Sequence, residues 1–454
     1  MVATPIFQVP DESSHFSRIQ VISETGKQPH PRRIKPTSQE VLKVSDIINF
    51  DWDVNHPMWQ GYSSNWRQQL ELIPLANRNI FIHNPQQTSS KRPPLYYWLA
   101  TPFYLVVSQK PFLIRFFSVR LFSVFIHIIT VYIVFLLAQL FFKEKLLPIA
   151  AAALVAFQPM FSFINIGVHY DPLTILIASL FLYKALIYLK SKKKKHLYQA
   201  FLTALLGIFI NPILICLILT SIFLIPKKKI KIVISLGLIF FIIFIFMPKF
   251  LNLVILKYNF LDSFMYLVNL NEYGENVNFF YQVLFSGQIF SQFKVYLTST
   301  FNIHLAQVFP WYWGVFGWLE KTLPLMVYKI IKLAILISFI GWIKLIISQL
   351  VKHAIPVIKL KSLSLLIIAS MINLSIVVLN DFRAFTRTGA SFGIQGRYLL
   401  PMISSHMILL VFGLTQLVPR KHQSSLAKLL IISSLVLNLI GLNALYQYFG
   451  WVWS

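Results

Sequence analysis

The chain has 454 residues, of which 56% are hydrophobic, 15% aromatic and only 12% charged. A soluble domain is nearer a quarter charged, so the composition excludes an ordinary globular protein and points to a polytopic membrane protein. The net charge of +26 would suggest nucleic acid in a soluble protein, but here the cations cluster between apolar runs, as in cytoplasmic membrane loops, and no nucleic-acid partner is expected.

The single cysteine, Cys216, lies in an apolar run and reads as a small hydrophobe; no intrachain disulfide or thiolate metal cluster can form. No cleavable signal peptide is visible, because residues 1–10 are too short for an apolar h-region and follow no basic segment.

In chain order, the first feature is FQVPDESSHF. Pro10, Asp11 and Glu12 read as a helix start, with acids favoured in the first turn, and His15 follows one turn later. Phe16, Ile19 and Ile22 suggest an amphipathic helix lying at the membrane surface. The carboxylates read either as a surface cap or as a general base at the membrane face. DESSH lacks the first histidine of a zinc-protease motif. Next, SSKRPPLYYW places Lys91 and Arg92 before two prolines and an aromatic run. The cations either anchor at headgroups or form a site for a lipid phosphate. Residues 93–109 contain Pro93, Pro94 and Pro102 and read as a helix in the outer leaflet or re-entrant from outside.

A spanning helix needs roughly 20 apolar residues. Candidate spans are 117–142, 147–167, 172–189, 198–210, 213–226, 230–248, 325–348, 361–379, 400–418 and 425–447. Residues 198–226 read as two short helices or a re-entrant hairpin broken at Asn211–Pro212. Basic clusters follow every second span: Lys143 and Lys145, Lys190 to Lys195, Lys227 to Lys231, Lys352 to Lys361, and Arg420 with Lys421. Those loops are expected in the cytoplasm. Loops 1–116, 168–171, 211–212, 249–324 and 380–399, and the C-terminal tail, then face outward. Of the fifteen Asp and Glu residues, only Glu144 falls in an expected cytoplasmic loop.

The fold class expected is thus an all-α polytopic membrane protein with about ten transmembrane helices and outer-face amphipathic helices. It forms one membrane domain: a first outer loop at 1–116, a helix block at 117–248, a large outer loop at 249–324 and a second helix block at 325–454. Ten spans put both termini outside and leave a large first loop with no helix to translocate it. The expectation is that an eleventh, first helix is missing, through truncation or a misplaced start codon.

Three later stretches carry candidate chemistry. NIGVHYDP contains His169, Tyr170 and Asp171; the aspartate is an N-cap for the helix starting at Pro172, a functional acid facing a cavity, or both. NDFRAFTRTGASFGIQGRYLLP at 380–401 carries Arg383, Arg387 and Arg397 against the positive-inside trend. Arginine binds phosphate through a planar fork of donors, and Gly393 and Gly396 allow close backbone approach. FPWYWGVFGWLEKTLP at 309–324 reads as an interfacial helix or the wall of a lipid groove, with Glu320 a weak further acid. Asp262, Glu272 and Glu275 are not placed near the other acids. There is no P-loop, dinucleotide fingerprint, HExxH or GxSxG.

In order, FQVPDESSHFSRIQVISETGKQP, PPLYYWLA, SVRLFSVFIHIITVYIVFLLAQLFF, AFQPMFSFINIGVHYDPL and IQGRYLLP resemble the GT-C superfamily of integral membrane glycosyltransferases, nearest to bacterial relatives of the dolichyl-phosphate-mannose protein mannosyltransferases. WGVFGW resembles a bacterial branch of that group. The similarity covers nearly the whole chain. The resemblance implies an inverting glycosyltransferase in the cytoplasmic membrane, with its catalytic face extracytoplasmic. Its partners would be a polyprenyl-phosphate-linked sugar, membrane lipid and a glycan, lipid or protein acceptor. It makes Asp11 the catalytic carboxylate, Glu12 its neighbour and Asp171 a second acid. Arg397 becomes the phosphate ligand, with Lys91, Arg92, His15, His169 and Tyr170 as further substrate-site candidates. Some relatives carry a metal-binding acid before the PP segment; here Ser90, Lys91 and Arg92 stand there, and a divalent metal stays open. The alternatives are a lipid-linked-sugar flippase or other transporter, and an inactive membrane scaffold.

Overall fold

The computed structural model describes residues 4–29, 35–50, 61–225, 289–298, 302–352, 356–389 and 393–450, apart from residues 63, 86, 88, 90 and 91. The N-terminal part comprises α1 (Glu12–Thr25), β1 (Pro36–Ser38), α2 (Gln39–Ile47), α3 (Trp66–Glu71), β2 (Phe81–His83) and α4 (Leu95–Leu105). The strands pair antiparallel, Thr37 opposite Ile82. Ser38 caps α2 by accepting the Val41 N–H at 3.1 Å. Gly26 closes α1 in the left-handed region, its N–H on the Ile22 carbonyl at 2.9 Å.

The bundle follows: α5 (Phe112–Gln139), α6 (Leu146–Ala156), α7 (Pro159–Asn165), α8 (Asp171–Ser191), α9 (Lys194–Ile208) and α10 (Ile215–Ser221). Beyond residue 288 come α11 (Ile289–Tyr296), α12 (Asn302–Trp313), α13 (Leu325–Lys352), α14 (Val357–Thr388), α15 (Ile403–Thr415) and α16 (Gln423–Phe449). A 3-10 turn, Gly396–Met402, leads directly into α15.

Among the described residues, six segments are long and apolar enough to cross a bilayer: Phe112–Gln139, Asp171–Ser191, Leu325–Val351, Val357–Thr386, Gly396–Thr415 and Arg420–Phe449. The pair α6 and α7, bent by 61°, makes a seventh if it acts as one broken span. The protein is therefore an all-α, multi-pass membrane protein, but the expected ten spans are corrected to six or seven among the described residues. The stretch 198–226 accounts for part of the difference: it folds as α9 and the short apolar segment Pro212–Leu224. Residues 230–248, Asp262, Glu272 and Glu275 lie outside the described residues.

Three further expectations change. α1 is not a surface amphipathic helix, because every residue from Glu12 to Ile22 is buried. The outer loop expected from 380 is helical as far as Thr388, carrying Arg383 and Arg387 within α14. The 309–324 stretch ends α12 at Trp313 and continues as a tight hairpin, Val315–Phe316 against Lys321–Thr322.

Two large apolar cores stand among the described residues, beside a small cluster around Tyr296 and Phe382. The larger joins α5, α6, α8 and α15 through residues such as Leu137, Val155, Leu182 and Ile408. The smaller gathers Phe7, Phe16, Ile19, Tyr97, Phe112, Phe116 and Val168 around α1, α4 and the start of α5. The polar candidates lie where the α1 segment meets the N-terminal ends of two spans, α8 and the Gly396–Thr415 segment.

Candidate functional site

The start of α1 separates the two adjacent acids. Glu12 is wholly buried and bound at both oxygens by Arg120 of α5, with Nε at 2.8 Å and Nη2 at 2.7 Å. Its Oε1 also accepts the Val168 N–H at 2.9 Å. Arg120 in turn donates to the carbonyls of Thr4 and Pro5, each at 2.8 Å. Glu12 thereby ties the N-terminal segment to α5 and to the 166–170 loop. Gly167 lets that loop close, since a Cβ there would lie 2.6 Å from Val9 Cγ1.

Asp11 is placed quite differently. It is the residue before α1, with φ 62° and ψ 6°, in the left-handed region that non-glycine residues seldom occupy. Its side chain makes no capping hydrogen bond to the helix, so the cap reading of this carboxylate is not what the structure holds. The carboxylate instead meets Arg397 Nη2 at 3.3 Å, with 35% of the side chain exposed. Burial works to raise the Asp11 pKa, but Arg397, His15 and Arg92 outweigh it and hold the carboxyl below its ordinary value. Asp11 is therefore ionised at neutral pH.

Arg397 reaches this place because Gly396 packs directly on α12. A Cβ at 396 would stand 2.1 Å from the Tyr312 backbone nitrogen, so only glycine fits. Upstream, Asp381 accepts the Gly393 N–H at 3.1 Å and the Tyr296 hydroxyl at 2.8 Å, fastening the approach to the turn. Arg397 is only 8% exposed, yet its Nε and Nη1 have no hydrogen-bond partner among the described residues. Buried guanidinium donors left open in this way are costly unless a ligand takes them.

His169, Tyr170 and Asp171 form the entry to α8. Asp171 is the first residue of the helix, with Pro172 next and Tyr170 at the cap position, so the expected start at Pro172 moves back one residue and Asp171 is not the N-cap. Its backbone N–H donates to His169 Nδ1 at 3.0 Å, which puts the His169 proton on Nε2. The Asp171 carboxylate lies 3.3 Å from the same nitrogen. His15 packs edge-on to His169, ring centroids 4.4 Å apart, and its Nδ1 shares a 2.7 Å hydrogen bond with the Tyr97 hydroxyl. Burial pushes the His15 pKa down to about 3, with Arg92, Arg18 and Arg397 adding to the effect against Asp11. Burial likewise drives His169 well below its ordinary value, helped by His15, Arg397 and Arg92. Both imidazoles are neutral. One ligand atom each from Asp11, His15 and His169 lie within 4.8 Å of one another.

Arg92 belongs to the same group. It is half-buried, its guanidinium 5.4 Å from the Tyr170 ring centroid and electrostatically coupled to Asp11 and Asp171. Lys91 lies outside the described residues, as does the side chain of Arg387. Arg383 is on α14. The structure thus brings Asp11, Asp171, Arg397, Arg92, His15, His169 and Tyr170 together and assigns Glu12 to a structural tie.

Several residues were not singled out from sequence. Arg18 of α1 lies 3.9 Å over the Tyr97 ring and donates to the carbonyls of Ser89 and Arg92, the latter at 2.6 Å, setting the backbone before Pro93. Arg120 and Tyr97 orient Glu12 and His15. Arg115 pairs with Glu40 while donating to the Tyr104 hydroxyl at 2.7 Å. The available signal was two arginines in one apolar run, FLIRFFSVRLFS, since charge inside a span seldom lacks a partner.

Two spans begin at this cluster, and the amino end of α8 adds a positive dipole end to the open donors of Arg397. The site can hold an anion beside a fixed carboxylate, at the end of a helix bundle. Fold and site together define a polytopic membrane protein with a polar centre at the mouth of its spans. Residues 1–405 match the family described as "Predicted membrane protein (DUF2142)", and the chain belongs to that family. No curated protein and no solved structure matches it.

Proposed function

We propose that the protein is a GT-C-type membrane glycosyltransferase. It moves a sugar from a polyprenyl-phosphate donor to a hydroxyl on a glycan, lipid or protein acceptor, at the outer face of the cytoplasmic membrane. The observation that carries this reading is Arg397, nine-tenths buried with Nε and Nη1 open, 3.3 Å from the uncapped carboxylate of Asp11. The ordered motifs that resemble the GT-C enzymes support it.

In this reading Asp11 accepts the proton of the acceptor hydroxyl as its oxygen attacks the anomeric carbon. The bond from that carbon to the phosphate oxygen breaks, its electron pair leaves with polyprenyl phosphate, and the anomeric configuration inverts. Negative charge grows on the phosphate, where Arg397, Arg92 and the amino end of α8 stabilise it. Asp171 and His169 shape the sugar side of the site, and Tyr170 is the surface over which Arg92 lies. The prenyl chain stays in the bilayer between spans. The basic clusters support an extracytoplasmic site, because they follow alternate spans away from Asp11, Asp171 and Arg397.

The test is Asp11→Asn in the full chain, reconstituted with a panel of radiolabelled polyprenyl-phosphate sugars and membrane acceptors. Asparagine tolerates the left-handed backbone, so folding is retained. Loss of transfer by about 10²-fold or more supports the reading; undiminished transfer removes Asp11 from the mechanism. Movement of lipid-linked sugar across the vesicles with no acceptor modified would replace the enzyme by a transporter.

A further inference from the structure

We propose that Asp11, His15 and His169 form a binding site for one divalent transition-metal ion, zinc being the best match to two imidazoles and a carboxylate. The three side chains come from two segments over 150 residues apart, yet each offers a ligand atom within 4.8 Å of the other two. Tetrahedral zinc with bonds of about 2.0–2.2 Å sets its ligands roughly 3.4 Å apart. Adjustments of about an ångström would close the trio.

Two buried histidines meeting edge-on could be aromatic packing alone. Two features speak for a ligand site. The Nδ1 of His15 is held by the Tyr97 hydroxyl at 2.7 Å, and the Nδ1 of His169 lies 3.3 Å from the Asp171 carboxylate; His169 coordinates through Nε2 once its proton moves from Nε2 to Nδ1, where that carboxylate takes the hydrogen bond. Metal-bound imidazoles are commonly oriented by such partners on the ring's far nitrogen. The third group, Asp11, is held in an unfavourable backbone conformation and spends its carboxylate on no helix cap.

Three protein ligands leave a coordination position open, as in catalytic rather than structural zinc centres. The role of that position rests on the proposed sugar transfer: it takes a phosphate oxygen of the donor, beside the open donors of Arg397. The departing polyprenyl phosphate gains a negative charge in the reaction, and the cation and Arg397 would meet it from two sides.

The experiment uses the full chain in detergent, stripped with a chelator and titrated with Zn²⁺ in the absence of donor and acceptor. One equivalent is expected to bind. His15→Ala and His169→Ala should each weaken binding about 100-fold or more, and Tyr97→Phe about 10-fold through the lost hydrogen bond to His15 Nδ1. X-ray absorption at the zinc edge of the loaded wild type should show two imidazoles, and needs no variant to fold. Absence of a bound equivalent, wild-type affinity in both histidine variants, or a spectrum without imidazole overturns the site. Full transfer by stripped protein overturns the catalytic role. Zinc bound with these signatures but no transfer from any donor overturns the glycosyltransferase reading and supports the metal site.

Discussion

Glu12 and Arg120, 108 residues apart in the chain, meet in a wholly buried two-point ion pair with bonds of 2.8 and 2.7 Å. This pair explains how two neighbouring carboxylates acquire separate roles. Glu12 is saturated by Arg120 and Val168, which anchors the backbone just beyond Asp11 and leaves Asp11 facing Arg397.

Breaking that pair from one side strands a buried charge. Arg120→Leu is expected to cost about 3–5 kcal/mol, more than Glu12→Gln, which keeps an oxygen for the Val168 N–H. Thermal unfolding of the purified variants in one detergent checks the order. Equal stability of wild type and Arg120→Leu would show that the pair does not hold the segment.

Asp11→Gly separates stability from function. Glycine adopts φ 62° without the penalty an L side chain meets there, a relief of up to about 1 kcal/mol. The lost contact to Arg397 is long and partly exposed, so it offsets little. The variant is expected to unfold no lower than wild type while losing sugar transfer. A fall of several degrees in the midpoint would contradict this account of the turn.

Gly396→Ala tests the seat of Arg397. The new methyl would meet the Tyr312 backbone nitrogen at 2.1 Å, and a backbone atom cannot turn aside. Overpacking of this kind costs about 1–3 kcal/mol or more. The expected result is lower thermal stability together with weakened donor binding, read by titration with polyprenyl phosphate.

Arg397→Lys keeps the charge and loses the fork. Because Nε and Nη1 are the open donors, lysine is expected to restore little: kcat/KM should fall about 10²-fold in Arg397→Lys and further in Arg397→Gln. Wild-type kinetics in Arg397→Lys would reduce this residue to a point charge.

Much of the site was readable because its residues break the local pattern. Asp11, Asp171 and Arg397 are charges beside apolar runs, and the long spans announce themselves by length and hydropathy. The helix α1 was misread for a definable reason. Its apolar positions repeat at helical spacing, which a surface helix and an enclosed one share. The partners that permit burial of its polar residues, Arg120, Tyr97 and Ser89, lie 75 or more positions away. Arg383 and Arg387 looked like loop residues because a helix that continues past the end of its apolar stretch leaves no mark in hydropathy. The hairpin after Trp313 was hidden likewise: Val315–Phe316 and Lys321–Thr322 are each two residues long, too short for any alternation to register.

The order in which the chain is synthesised gives the buried α1 a further consequence. Glu12 and Arg18 leave the ribosome first, Arg120 follows more than a hundred residues later, and Arg397 only near the end. Until those partners emerge, a nascent helix rich in polar groups has no interior to enter. Polypeptides that stop before residue 397 carry the carboxylate without its arginine, so premature termination late in the reading frame should be as damaging as termination early in it.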